Sequence, residues 1–312
     1  MTEKFKYLKI ISFAAVILAI ILALSAIVDP ANTRAGVDKF DKVVIDASKE
    51  DENSMDVVVL GDSEAYRSII PPEMYEKYGF TTYVGASPSQ KTYQSCDMLE
   101  ALLERQKPKV CILEPNVLFR NYSLISSVLP KMEKKFPIFK YHNAWKGLVD
   151  SDYEYEEVTF SSFKGYRYTD DIKAAKKTDY MMKTDRKELI SSTNLSDFNK
   201  ICDICEKNNI ELLIVRTPSI KTWDYAKYDA VRTLTEEKDI TYIDLNLDDP
   251  LGIDWSKDTY DKGDHLNHYG AVKVTEYLGE YLHKNYDLPD HRNDDNFSSW
   301  DRMVKKYQKK VG

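Results

Sequence analysis

An uncharged stretch near the N-terminus constrains this chain more than any other feature. It runs from Ile10 to Val28, with Lys4, Lys6 and Lys9 before it and Asp29-Pro30 after it. A helix of that length, at about 1.5 Å of rise per residue, spans roughly the hydrocarbon core of a bilayer. The apolar part of a cleaved signal peptide is usually shorter, roughly 7–15 residues, and residues 23–26 offer only a weak cleavage site. The sequence therefore predicts a retained membrane anchor.

Flanking charge gives the orientation of this anchor. The lysines of Met1–Lys9 favour the cytoplasm, although Arg34, Lys39 and Lys42 on the other side weaken the bias. No second stretch of the sequence is long and apolar enough to span a bilayer. We therefore expect a single-pass protein of the cell membrane with everything after residue 30 outside the cytoplasm.

Short apolar runs alternate with helical patterns through most of the remaining chain. Such alternation is typical of an α/β domain with a parallel sheet covered by helices on both faces. The predicted strands are Asp56–Leu60, Lys109–Leu113, Ile210–Val215 and Ile240–Leu245, and the predicted helices are Met98–Gln106, Leu195–Lys207, Tyr225–Lys238 and Ala271–Asn285.

The same pattern divides the chain into segments. Residues 1–30 are predicted to be a cytoplasmic tip and transmembrane anchor, residues 31–54 a polar linker, and residues 55–285 the catalytic domain. Residues 120–194 lack a clear period and are expected to form an insertion over the strand ends, where open α/β sheets bind ligands. Residues 286–312 are expected to be a polar tail.

Charge argues against a nucleic-acid partner. The formal net charge is −7, and no run of lysine or arginine is interleaved with aromatic residues. Single cations and aromatic residues are candidates for contact with a polysaccharide, with solvated surface as the alternative for the cations and packing of the insertion as the alternative for the aromatic residues. The cations are Arg67, Lys164 and Arg216, and the aromatic candidates are Trp145, Trp223 and the tyrosines of residues 141–168.

Gly61-Asp62-Ser63 follows the first predicted strand directly. Functional groups project at strand ends of an α/β sheet, and a glycine there lets the chain turn tightly. Ser63 is thus placed as a nucleophile at a strand-to-helix turn. The alternative is that Ser63 caps the next helix.

A second polar motif precedes the last helix, where residues 261–270 read DKGDHLNHYG. A nucleophilic serine needs a base within hydrogen-bond distance, and that base needs a carboxylate to orient it. His265 with Asp261 or Asp264 supplies both on one loop. Two alternatives remain: a solvated loop in which Asn267 caps the helix, and a metal site formed by Asp261, Asp264, His265 and His268.

Together these motifs resemble those of the SGNH (GDSL-type) hydrolase superfamily over roughly residues 55–285. The phrase Asp264-His265-Leu266-Asn267 is similar to its membrane-anchored branch, which includes alginate and peptidoglycan O-acetyltransferases and the teichoic-acid D-alanylation protein. The resemblance implies a three-layer, flavodoxin-like sheet and a Ser-His-Asp triad. It also implies an oxyanion hole formed by the Ser63 backbone, Gly85 and Asn116.

The chain departs from the family pattern at two places. Glu114-Pro115-Asn116 replaces the usual Gly-x-Asn-Asp, and Lys262 occupies the position three residues before histidine where the family has aspartate. Extended backbone favours Asp261 as the partner of His265, because adjacent side chains rarely face each other, whereas the Asp-His-Leu-Asn phrase favours Asp264. The sequence leaves this choice open.

These residues predict a serine acyl-ester enzyme that transfers an acyl group, most simply acetyl, to a cell-surface polysaccharide. No metal or cofactor is expected. The resemblance implies a multi-pass membrane-bound O-acyltransferase as partner, which hands the acyl group across the membrane. The alternatives are a polysaccharide acetyl esterase and a catalytically silent, polysaccharide-binding component of an assembly complex.

Overall fold

The computed structural model describes residues 3–29, 38–142, 149, 163–176 and 179–312. The chain divides into two compact units. One comprises Met1–Asp38 and Tyr122–Thr159, and the other comprises Lys39–Asn121 and Phe160–Gly312. Trp145 and most of residues 143–162, for which sugar contacts were expected, lie outside the described residues.

The first unit is built on the apolar N-terminal helix α1 (Glu3–Val28). Within the described residues, its segment Phe5–Val28 is the single helix long and apolar enough to cross a membrane. Length and composition suit a membrane span and a signal sequence equally. The unit also contains helices α6 (Leu124–Lys135) and α7 (Ile138–Tyr141), and the buried Val28 packs against α7.

A five-stranded parallel sheet forms the centre of the second unit. Its strands are β1 (Val57–Gly61), β2 (Thr82–Ala86), β3 (Val110–Leu113), β4 (Glu211–Arg216) and β5 (Thr241–Asp244). They lie in the order β2-β1-β3-β4-β5, which is the flavodoxin-like order of doubly wound sheets. Every residue of the central strands β1 and β3 is buried, as expected for a parallel sheet covered on both faces.

Two hydrophobic clusters cover the two faces of this sheet. Because side chains alternate along a strand, Val58 and Leu60 of β1 face one cluster and Val57 and Val59 face the other. The first layer contains α2 (Lys39–Ser48), α5 (Thr92–Leu103), α8 (Ser192–Lys207) and α9 (Tyr225–Glu236); the second contains α3 (Ser63–Ser68), α4 (Pro71–Tyr78) and α10 (His268–Asn285). The predicted three-layer α/β architecture is confirmed.

Two segments expected to be linker and tail are folded onto this unit. Helix α2 lies within the expected linker of residues 31–54, and Val43 and Ala47 are buried on one face of it because they are four residues apart. Helix α11 (Ser298–Val311) lies within the expected tail of residues 286–312. Its Trp300 is fully buried, with a ring centroid 5.6 Å from that of Tyr75 in α4. Both segments are predominantly polar, which concealed their narrow apolar faces.

Candidate active site

Ser63 lies where β1 ends and α3 begins. Gly61 is required there, because a Cβ atom on it would lie 2.8 Å from the Cβ atoms of both Ala65 and Glu114. The carboxylate of Asp62 caps α3 by accepting a hydrogen bond from the Glu64 N–H at 3.0 Å. Asp62, and not Ser63, is therefore the helix cap, and the Ser63 hydroxyl is available for another partner.

That partner is His265, which lies 202 residues further along the chain. Its Nε2 atom is 2.7 Å from Ser63 Oγ, and its Nδ1 atom is 2.5 Å from Asp261 Oδ2. The second oxygen of Asp261 accepts the backbone N–H of His265 at 2.8 Å. The structure thus joins Ser63, His265 and Asp261 in one line of hydrogen bonds at the carboxyl edge of the sheet, which is the order that nucleophilic catalysis needs.

The loop between Asp261 and His265 explains how an aspartate four residues away reaches the imidazole. Lys262 and Gly263 adopt positive φ angles of 68° and 89°, which fold the chain back on itself. Asp264 takes a different position, with its nearer oxygen 3.8 Å from His265 Nδ1. Of the two aspartates that the sequence left open, Asp261 is the hydrogen-bond partner of His265. Asn267 caps α10 through the Gly270 N–H.

The electrostatic surroundings of His265 suit a base. Burial lowers the pKa of His265, but the hydrogen bond with Asp261 and the negative charges of Glu64 and Asp264 outweigh burial and raise it above its ordinary value. Burial raises the pKa of Asp261, yet its hydrogen bonds with the side chain and backbone of His265 lower it overall. A neutral imidazole held by a charged carboxylate can accept the Ser63 proton.

The residues expected to form the oxyanion hole differ in how they are placed relative to Ser63. The Ser63 N–H lies in the first turn of α3, and the buried Asn116 donates its side-chain N–H to Asp62 at 3.0 Å. Gly85 lies inside β2, paired with Leu60, where a Cβ atom would come 2.9 Å from Met98 Cγ. Close packing of α5 on the sheet accounts for this glycine, so its role toward an oxyanion stays a prediction.

Sequence reasoning missed a buried charge cluster directly beneath Ser63. Arg216, which ends β4, is fully buried; it forms an ion pair with Glu114 and lies 3.8 Å from Glu64 Oε1. The Thr222 hydroxyl also donates to Glu64. The expectation that Arg216 contacts a polymer is therefore wrong. A charged residue directly at or after the end of an apolar strand, as in Glu114 and Arg216, was the available signal.

Burial dominates the titration of the two glutamates in this cluster. It raises the pKa of Glu64 to about 7 and that of Glu114 to about 8, although the positive charge of Arg216 acts in the opposite direction. The buried Oε2 atom of Glu64 has no hydrogen-bond partner in the part of the chain that the structure describes. Glu64 thus places a second carboxyl group beside the imidazole.

The geometry bears on the metal-site alternative as well. Within the described part of the chain, potential ligand atoms of Glu64, Asp264 and His265 lie within 4.8 Å of one another. Both ring nitrogens of His265 already have partners, however, and His268 instead contacts the rings of Tyr168 and Tyr307. The four residues of the proposed metal site are thus not gathered at one point.

Two other expected contact residues are also buried. Trp223 is 2% exposed and lies beneath the Arg216 guanidinium, 4.5 Å from its ring centroid. Lys164 is 5% exposed and forms an ion pair with Glu50. Neither side chain is accessible to a sugar polymer.

No protein-family model matches the chain, and no curated protein matches it. Solved structures do match. A Bacteroides fragilis protein described as an acylhydrolase is 10% identical with a TM-score of 0.43, and the match covers 80% of this chain and 98% of that one. A Desulfitobacterium hafniense lipolytic protein of the G-D-S-L family is 12% identical with a TM-score of 0.42, covering 72% and 98%. A GDSL-like lipase of Bacteroides thetaiotaomicron is 9% identical with a TM-score of 0.40, covering 80% and 98%.

These likenesses are too distant to carry an argument about function, so the fold and site of the chain itself define its class. The parallel strands lie in flavodoxin-like order, and Ser63, His265 and Asp261 are hydrogen-bonded at their carboxyl edge. The chain is therefore an α/β protein with a Ser-His-Asp arrangement at the end of its sheet. This is the arrangement that the SGNH resemblance implied. The predicted three-layer, flavodoxin-like parallel sheet preceded by one apolar helix is confirmed.

Proposed function

We propose that this chain is a membrane-anchored, extracytoplasmic serine enzyme that transfers an acyl group, most simply acetyl, to a cell-surface polysaccharide. One observation carries the catalytic part of the proposal: the continuous hydrogen bonds from Ser63 through His265 to Asp261. A solvated loop or a silent binding surface gives no reason for a half-buried carboxylate, an imidazole and a serine hydroxyl to align in this order.

The proposed reaction has two halves. Ser63 Oγ attacks the acyl carbonyl while His265 Nε2 accepts its proton, and Asp261 stabilises the imidazolium. Collapse of the tetrahedral intermediate breaks the bond to the donor alcohol, which takes the proton from His265 and leaves an acyl ester on Ser63. An acceptor hydroxyl then gives its proton to His265 and attacks this ester. Collapse of the second tetrahedral intermediate breaks the bond between the acyl carbon and Ser63 Oγ, and His265 returns the proton to Oγ. The Ser63 N–H, with Asn116 and Gly85 as further candidates, stabilises the oxyanion.

The apolar helix α1 supports the proposed location. An anchor of this kind holds the catalytic unit near polymers assembled outside the membrane, whereas activated acyl donors are made inside. The SGNH resemblance supports a multi-pass membrane-bound O-acyltransferase as the partner that delivers the acyl group. Both the location and the partner are parts of the proposal.

Acetyl-ester hydrolysis is the second candidate, because it uses the same three residues with water as the acceptor. Ser63 is partly exposed, which leaves a path for either acceptor. The two reactions differ in whether an acceptor hydroxyl displaces water at the acyl-enzyme stage.

Product analysis distinguishes these reactions. The full chain in detergent micelles is incubated with 4-nitrophenyl acetate and a neutral oligosaccharide, and acetylated sugar and free acetate are quantified by mass spectrometry. Acetylated sugar that disappears in Ser63→Ala, but persists in the surface control Ser256→Ala, is the expected result. Formation of free acetate without acetylated sugar would favour hydrolysis over acetyl transfer. Neither product, from folded protein, would contradict enzymatic activity and favour the binding component.

A further inference from the structure

Helix α6 exposes a row of large apolar side chains in the unit that contains the N-terminal helix. Ile125, Val128, Leu129 and Met132 are between 43% and 75% exposed. Their spacing is i, i+3, i+4 and i+7, so they share one side of the helix within an arc of about 100°. Exposed apolar residues on a protein surface normally occur singly, and a contiguous group marks a site of interaction. We call these four residues the α6 stripe.

Helix α6 is attached to the C-terminal end of the apolar helix α1 through α7. Two residues separate α6 from α7, and the Phe136 N–H between them donates to the Met132 carbonyl at 2.7 Å. The Ile138 N–H of α7 lies 3.4 Å from the Ser25 hydroxyl of α1, and the buried Val28 packs against Ile138. Because Ser25 and Val28 belong to the last turn of α1, α6 follows directly on the chain that is fixed to this end.

The end of α1 is also where a bilayer would have its boundary. The candidate span Phe5–Val28 has 24 residues, which at about 1.5 Å of rise each cover the hydrocarbon core and part of one headgroup region. Leu24 and Ile27 keep the surface of α1 apolar up to this end, and Phe139 of α7 is exposed beside it. The apolar surface that would face lipid therefore continues from α1 into the segment that carries the α6 stripe.

Charge indicates what covers the α6 stripe. The helix has the sequence LISSVLPKMEKK, which contains three lysines and one glutamate, and Lys135 at its end is exposed. Helices that lie in the plane of a bilayer interface combine an apolar face with lysine or arginine, which attract anionic headgroups. Contact surfaces between proteins are instead depleted of lysine. The pattern thus favours lipid over a protein as the partner.

We propose that α6 lies in the extracytoplasmic interface of the bilayer, with the α6 stripe inserted among the lipids as a second attachment beside α1. The inference rests on the membrane anchor in the proposed function. A single spanning helix leaves its unit free to turn about the helix axis, whereas a second contact beside it restricts that rotation. The anchor is therefore expected to fix the orientation of the unit at the membrane as well as its location.

Quenching by brominated lipids tests whether the bilayer covers the α6 stripe. The full-length variant Leu129→Trp is reconstituted in vesicles of equal parts phosphatidylcholine and phosphatidylglycerol, with or without bromine at carbons 6 and 7 of one acyl chain. Wild-type chain treated in the same way gives the contribution of the native tryptophans. We expect the added tryptophan to lose about half of its fluorescence or more, because interfacial helices bury their apolar face about 5–10 Å deep. Val128→Trp is a second reporter and is expected to behave alike.

A variant of the same helix provides the matched control. At about 100° per residue, position 134 is half a turn away from position 125, so the tryptophan of Lys134→Trp is expected to keep most of its fluorescence. Equal quenching in Leu129→Trp and Lys134→Trp would contradict a helix that lies in the interface with one face toward lipid. Circular dichroism of each reconstituted variant shows whether it is folded.

A reporter in α1 separates this inference from the proposed anchor. Leu18→Trp lies near the middle of the candidate span and is measured with lipids brominated at carbons 11 and 12. If Leu18→Trp is quenched but Leu129→Trp and Val128→Trp are not, the second attachment is overturned, the anchor stands and a protein partner is favoured for the α6 stripe. If the stripe reporters are quenched and Leu18→Trp is not, the stripe binds lipid and the anchor alone fails.

Discussion

At the scale of single residues, two neighbouring carboxylates have different relations to one imidazole. Asp261 contacts both Nδ1 and the backbone N–H of His265, whereas the nearer oxygen of Asp264 is 3.8 Å from Nδ1. The other oxygen of Asp264 is buried and has no hydrogen-bond partner among the described residues. Asp261 therefore holds the tautomer and orientation of His265, and Asp264 contributes negative charge alone.

Substituting each aspartate tests this assignment. We expect Asp261→Asn to lower kcat for acetyl-ester turnover by about 10³–10⁴, because an amide stabilises the wrong tautomer of His265 and cannot balance the imidazolium charge. Asp264→Asn is expected to lower kcat less than about tenfold. Steady-state kinetics of the two folded variants provides the comparison, and a larger loss in Asp264→Asn would reverse the assignment.

The pH dependence follows from the raised pKa of His265. The base must be neutral to accept the Ser63 proton, so kcat/KM is expected to rise with pH and to reach half its maximum above pH 6.5. The negative charge of Glu64 contributes to the raised pKa of His265, so Glu64→Gln is expected to shift the rise of kcat/KM to lower pH. Profiles of kcat/KM for a neutral acetate ester measure both effects, with the exposed Glu280→Gln as control. A limb shifted upward in Glu64→Gln would contradict the electrostatic account.

Single residues also show where sequence reasoning succeeds and where it stops. Ser63 and His265 were identified because each belongs to a motif at an element boundary, and the fold brings those boundaries together. The choice between Asp261 and Asp264 depended on the φ angles of Lys262 and Gly263, which motif spacing does not report. The contact between Arg67 and the Arg167 carbonyl was not predicted, because the two residues are one hundred positions apart and meet only in the folded chain.

At the scale of elements, the loop of residues 261–265 places Asp261 within hydrogen-bond distance of His265. Gly263 lies at its centre with a φ angle of 89°, and a Cβ atom there would lie 2.4 Å from Ile220 Cγ1. The Ile220 N–H also donates to the Gly263 carbonyl at 3.0 Å. The loop is therefore fixed to the chain that follows β4 and carries Asp261 and His265 on either side of a crowded turn.

Replacing Gly263 by alanine should move this loop. We expect Gly263→Ala to lower acetyl-ester turnover at least tenfold, because the displaced turn separates His265 from Ser63. Gly252→Ala is the matched control: Gly252 also has a positive φ angle, of 59°, but nothing lies within 4 Å of its Cβ position. It is expected to cost about 1–2 kcal/mol of stability and to retain activity. Equal activity of the two variants would show that the close packing at Gly263 does not position the triad.

Elements differ in how far sequence predicts them. The strands β1, β3 and β4 were predicted because they are almost wholly apolar, whereas β2 was not among the predicted strands. Helices α2 and α11 were missed, since each buries a narrow apolar face within a polar segment. Trp300 was noted as an anchor, but its partner Tyr75 lies in α4, more than two hundred residues away in sequence.

At the scale of the whole molecule, buried charge joins the elements beneath the site. Arg216 of β4 contacts Glu114, which follows β3, and lies near Glu64 of α3. All three side chains are at most 1% exposed. The cluster thus fixes α3, and with it Ser63, relative to the ends of two strands.

Removing the central cation tests this structural role. Arg216→Met leaves two buried carboxyl groups without their partner, so we expect the free energy of unfolding to fall by about 3–5 kcal/mol. Arg232→Met breaks two ion pairs at the surface of α9, with Asp229 and Glu236, and is expected to cost less than about 1 kcal/mol. Urea unfolding followed by tryptophan fluorescence measures both. Equal losses of stability in the two variants would show that the buried cluster does not hold the site in place.

The parallel sheet was easier to predict than the unit that contains the N-terminal helix. Alternating apolar strands and helices predict a parallel sheet by general rules of packing, and the sheet has the order that the resemblance implied. Tyr122–Thr159 falls within the predicted insertion, yet it forms one compact unit with Met1–Asp38. This grouping was not predicted, because it depends on tertiary contacts that no local sequence pattern reports.

Covalent labelling reports whether the Ser63 hydroxyl is activated by His265. The full chain in micelles is treated with a fluorophosphonate that reacts with activated serines, and the adduct is mapped by mass spectrometry. We expect a single fast-labelling site at Ser63, with labelling lost in His265→Ala, strongly slowed in Asp261→Asn and slowed less than about tenfold in Asp264→Asn. A folded chain in which Ser63 stays unlabelled, or is labelled at the same rate without His265, would contradict an activated serine at this site.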